Sequence, residues 1–142
     1  KAGHYYISEV LETRQGNNYS LGTIYQILCE MLDIPVFAIQ LPRQHLLAYF
    51  DNQYDFFNKD QKQTQRIQFY IDANSGTIFT QNDVDVYLKK YNFAVNENTY
   101  LPLSNQEIIL TTIESLIMMY DELNETEKSA ELNRILSLRD LV

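Results

Sequence analysis

The chain has 142 residues, enough for one domain around one core, and 45% of them are hydrophobic. Nineteen acidic against eleven basic side chains leave a formal charge of −8, which argues against nucleic acid as a partner because a phosphate backbone calls for a cationic face. The single cysteine excludes an internal disulfide framework, and no apolar run approaches the roughly 18 residues of a membrane-spanning helix. A lone thiol suits a reducing compartment, so a cytoplasmic protein with no membrane partner is expected.

In chain order, KAGHYYISEV is neither a basic-apolar leader nor an initiator-Met start, and reads as the cut edge of a longer protein. Ile7, Val10 and Leu11 share an apolar face, which predicts a short helix over Tyr5 to Thr13. RQGNN interrupts it: Gly16 suits a positive φ, and Asn17 or Asn18 suits a helix cap. Leu21, Ile24, Tyr25, Leu28, Met31 and Leu32 recur at helical spacing and predict a helix whose stripe packs on the core. Gly22 lies off that stripe, at a close packing contact, and Pro35 sets the stop.

VFAIQL, HLLAYF and RIQFYID then read as three strands of one antiparallel sheet, the first two joined by a turn at Pro42. The stretch between the last two is polar but carries Tyr54, Phe56 and Phe57; these aromatics either fold back on the strand pair or form a surface cluster. Gly76 suits the left-handed position of a turn in ANSG, and Thr80 caps a helix with Val84, Tyr87 and Leu88 on its apolar face. SNQE is a capping box launching a helix through about Leu123, with Ile108, Ile109, Thr112, Ile113, Leu116, Ile117 and Tyr120 facing a partner. NETEK turns the chain into a second helix bearing Leu132, Ile135, Leu136 and Leu138. The expected organisation is α+β: a core over residues 1–100 and a helical hairpin over 101–142, packed on the core or leading into further sequence.

Side chains able to do chemistry are few. His4 lies near the start and is incidental. His45 begins a strand and Asp72 closes the next, so antiparallel pairing would bring them to one end of the sheet. An Asp carboxylate there could fix the imidazole tautomer, or the pair could simply satisfy two polar groups. A nucleophile would have to stand at the start of the helix that begins near Asn18, where unpaired N–H groups lower a thiol pKa, and Asn18 cannot be one. Ser20 reads as a capping residue and Cys29 as a half-buried thiol. His45, Asp72 and Asp55 lack metal-ligand spacing, and GNNYSLG lacks the lysine of a phosphate loop, so no metal and no cofactor is expected.

RQGNNYSL, LDIPVFAIQLPRQHLLAYF and YIDANSGTIF, in this order and spacing, resemble the transglutaminase-like superfamily and specifically its SirB1-type branch. The resemblance covers roughly Tyr6 to Leu138. It implies a cysteine-protease/transglutaminase-like core, an antiparallel sheet on a central helix, with a C-terminal two-helix hairpin. Active members carry a Cys–His–Asp triad. On this chain the resemblance places the His position at His45, the Asp position at Asp72 and the Cys position at Asn18, with Arg14, Asn17 and Ser20 lining the cleft.

Three functional readings remain open from the sequence. One is a pseudoenzyme, a non-catalytic transglutaminase-like domain that binds a ligand, protein or peptide. A second is a hydrolase or peptidase using water activated by a His45/Asp72 dyad, with the Asn18 amide as oxyanion donor. A third is a purely structural or protein-interaction domain. The missing nucleophile weighs against catalysis.

Overall fold

The computed structural model describes residues 18–51 and 66–141. The expected Tyr5–Thr13 helix, His4, Arg14, Asn17, Asp55 and the aromatic residues Tyr54, Phe56 and Phe57 lie outside the described residues. Helix α1 (Asn18–Met31) leads into β1 (Val36–Leu41), β2 (Gln44–Phe50), β3 (Ile67–Ile71) and β4 (Ile78–Phe79). Then come α2 (Gln81–Lys90), α3 (Asn105–Glu122), α4 (Thr126–Ser137) and a short 3-10 helix, Leu138–Leu141. The strands form one antiparallel sheet in the order β1-β2-β3-β4, an α+β architecture in which β4 is a short addition to the three expected strands.

Strands β1 and β2 are buried almost without interruption, because helices cover both faces of the sheet. On one face, Ile39, Leu41, Leu46, Ala48, Phe50 and Tyr70 pack with Val84 and Leu88 of α2 and with Tyr100. On the other, Val36, Ala38 and Leu47 pack with Ala73 and Ile108, and Leu21, Cys29 and Leu103 lean against them. Local signals set the joints. Pro42 precedes Arg43, which takes the left-handed conformation (φ 68) in the tight β1–β2 turn. The Tyr87 hydroxyl donates to the Pro42 carbonyl at 2.5 Å and ties α2 to that turn. Gly76 sits at φ 73, Thr80 and Asp83 form a capping box on α2, and Ser104 and Glu107 form one on α3.

Helix α1 departs from expectation. It lies on the sheet, but its apolar stripe does not all face inward: Leu21 and Ile24 are half-buried, while Tyr25, Leu28, Met31 and Leu32 are exposed. The inward side carries Gly22, Gln26 and Cys29 instead. Gly22 approaches Leu47, and the Gln26 Oε1 accepts the Ala38 N–H at 2.8 Å. That N–H points outward from an edge strand and needs a partner, so a side-chain carbonyl there outweighs burial of more apolar area. Along α3, Ile108, Leu116, Ile117 and Tyr120 are buried as the stripe predicts, and Ile113 is half-buried. Ile109 is exposed, because it falls outside the arc that meets the sheet and α4. The Ser129 hydroxyl of α4 donates to the Asp121 carboxylate of α3 at 2.5 Å, a polar joint within the hairpin.

A Cβ added at Gly22 would meet the Leu47 side chain at 3.9 Å, an ordinary contact. Gly22→Ala should therefore stabilise the fold by about 0.5–1 kcal/mol through helix propensity, read as a raised urea midpoint. A lowered midpoint would mean that α1 sits closer to the sheet than this geometry has it.

Candidate functional site

His45 is the second residue of β2 and is only 4% exposed. It shares the sheet face of Leu47, and the two helices on that face enclose it. From the first turn of α1, the Tyr19 ring lies 4.5 Å from the imidazole, centroid to centroid, tilted by 60°. From α3, the Thr111 Oγ1 lies 2.8 Å from His45 Nε2. The Thr111 hydroxyl donates its hydrogen back to the Glu107 carbonyl at 2.8 Å, as helical threonines do. Its oxygen is then the acceptor, and His45 Nε2–H the donor, which selects the neutral Nε2–H tautomer. Burial lowers the His45 pKa from the usual 6.5 to about 4.

Gln40 stands directly across from His45 in β1. Its Nε2 donates to the Leu41 carbonyl at 2.7 Å and to the Gln44 carbonyl at 3.3 Å, closing the turn. Its Oε1 is buried without a hydrogen-bond partner among the described residues.

Asp72 makes its described hydrogen bonds within its own turn. Its carboxylate accepts from the Asn74 N–H at 2.9 Å and from the Ser75 hydroxyl at 2.8 Å, closing the turn into β4. Register sets the face on which it falls. Leu47 pairs with Ile71, so the ladder continued one step sets Asp72 across from Leu46, and a further step sets Ala73 across from His45. Adjacent residues point to opposite faces, and Ala73 is the one in the core on the side of His45. The described hydrogen bond of the His45 ring runs to Thr111, and those of the Asp72 carboxylate stay within its own turn. Asn18 opens the described part of α1, next to the Tyr19 whose ring packs against His45. Ser20 is buried, and Cys29 is half-buried with burial pushing its thiol pKa up. Among the described residues, no three His, Cys, Asp or Glu side chains gather as a metal site.

The transglutaminase-like superfamily matches residues 1–114. The chain belongs to that superfamily. No curated protein and no solved structure matches the chain. The match to the transglutaminase-like domain takes in both partners of the histidine, Tyr19 and Thr111. Sequence reasoning missed Tyr19, Gln40 and Thr111 as neighbours of His45. A signal existed for Thr111, a hydroxyl one turn after Ile108 on the buried side of an otherwise Ile/Leu-rich helix. No described helix of this transglutaminase-like chain is long and apolar enough to cross a membrane.

The buried neutral imidazole makes stability pH-dependent with a definite sign. The unfolded chain binds a proton at about 6.5 and the folded chain only near 4, so stability is full above the higher value and falls as pH drops between them. The loss should reach about 3 kcal/mol near pH 4. Urea unfolding of the parent and of His45→Gln across this range should show that difference closing in the variant. Parallel curves would mean that His45 is not buried neutral.

Proposed function

We propose that this transglutaminase-like domain is non-catalytic and serves as a ligand- or protein-binding module. The observation that carries the reading is the use made of His45: its Nε2–H is bonded to Thr111 of α3 rather than facing a thiol. A base for thiol acyl transfer must take a proton from the nucleophile and return it to the leaving group. An imidazole that is nearly enclosed and protonates only near 4 is poorly placed for either step. Asn18, at the nucleophile position that the family order implies, has an amide that supplies no thiolate. In this proposal Asn18, Arg14, Asn17 and Ser20 line the remnant cleft, and Asp72 keeps its family position as a turn-forming residue.

Membership of the SirB1-type branch is part of the same proposal, supported by the order of RQGNNYSL, the Ile34–Pro35 step and the IDANSG turn, and by the two-helix tail. So is the division into a core of residues 1–100 and a hairpin of 101–142 packed on it, supported by the His45–Thr111 bond and by the bond from the Leu103 N–H to the Ala38 carbonyl. A cytoplasmic setting, in keeping with the lone Cys29, completes it.

The test is to supply the absent atom. In a Cys29→Ala background, Asn18→Cys places a thiol at the family's nucleophile position. With His45 neutral and committed to Thr111, that thiol should gain only the modest lowering that a helix start gives below the ordinary value of about 8.5, and it should form no acyl-enzyme on an activated ester. A thiol titrating below about 7, with a burst of acyl-enzyme on an activated ester, would show working machinery and overturn the reading.

A further inference from the structure

Helix α1 and the residue after it leave Ile27, Leu28, Met31 and Leu32 exposed, Met31 at 75% and Leu32 at 68%. Beside them, between the end of α1, the start of β1 and the start of α3, runs an open groove of about 550 Å³. Ile34, Pro35, Phe37 and Leu103 form its apolar walls, and Glu30 and Asp33 stand on its lip. Several exposed apolar side chains close in sequence to an apolar groove mark an interaction site more often than isolated exposed residues do.

Charge narrows the occupant. No Lys or Arg occurs from residue 15 to 42, the stretch that includes α1 and β1, or from 91 to 127, the stretch that includes α3. Among the described residues, these stretches contribute acids and no cation to the surface built by α1 and the start of α3. A second copy of the chain, itself at −8, would bring Glu30 and Asp33 against acidic surface. The chain's own Tyr5–Thr13 segment is apolar on one side but holds Glu9 and Glu12 and no cation, so it mismatches the lip. We infer that the exposed face of α1 and its groove receive an amphipathic, basic segment of a partner protein. Its apolar side chains enter the groove and its Lys or Arg side chains meet Glu30 and Asp33. The inference rests on the binding-module reading only in taking recognition to be the work of the domain. The surface is separate from His45, so thiol chemistry at position 18 and binding at α1 fail independently.

The experiment uses the full chain and two synthetic fluorescein-labelled peptides with leucines at helical spacing, one with lysines at the polar positions and one with glutamates. The lysine peptide should raise the anisotropy and the glutamate peptide should not, with binding weakening as salt rises from about 0.1 M to 1 M. Met31→Ser with Leu32→Ser should weaken binding at least roughly tenfold. Glu30→Gln with Asp33→Asn should weaken it and flatten the salt dependence; Asn is chosen because Asp33 sits at φ 56, which Asn tolerates. Val86→Ser, at an exposed apolar site on α2, should change nothing. No binding, equal binding of both peptides, or equal loss in Val86→Ser would overturn the proposal. A photo-crosslinking residue at Leu28 decides the occupant. An adduct with the lysine peptide supports the inference, whereas crosslinks to a second copy or to residues 1–17 in the presence of that peptide overturn it.

Discussion

An edge strand must find partners for the N–H and C=O groups that point away from its sheet. Strand β1 does so at Ala38, whose N–H goes to the Gln26 side chain of α1 and whose carbonyl accepts from the Leu103 N–H, both at 2.8 Å. These two bonds join three segments remote in sequence. They also occupy the middle of the edge, where another strand would otherwise add.

Much of the second face follows from this joint. With Gln26 directed at β1, the helix presents Gly22, Gln26 and Cys29 to the sheet and leaves Leu28, Met31 and Leu32 outside. With Leu103 held at Ala38, the capping box at Ser104 starts α3 over the same face, Ile108 enters the core, and Thr111 arrives at His45. A histidine at the head of a strand, open in principle to a cleft, becomes an enclosed group with a hydroxyl partner. In the proposed non-catalytic reading, the family's order of elements is kept while the histidine at that position serves the fold.

What was legible in the sequence was local. The apolar run VFAIQL, the strand RIQFYID, the Thr80 and Ser104 caps and the positive φ at Gly76 each depend on a few neighbouring residues, and each is present. What was not legible depends on distant chain. The side of α1 that meets the sheet was decided by one edge amide in β1, not by the sum of its apolar residues. The face on which Asp72 falls relative to His45 turns on a single step of register, which spacing along the chain does not reveal. Thr111 lies 66 residues from His45, and only the docking of α3 joins them.

The central claim is that His45 is held neutral by enclosure and by Thr111. Nitrogen-15 NMR of the imidazole rings reads this directly, with the His45 signals assigned by their absence in His45→Gln. The account predicts an Nε2–H tautomer that persists through neutral pH and protonates only near 4, with the neutral tautomer populations evening out in Thr111→Val. A titration at or above about 6.5 in the parent chain would contradict it, because that is the behaviour of a solvent-exposed or carboxylate-paired histidine.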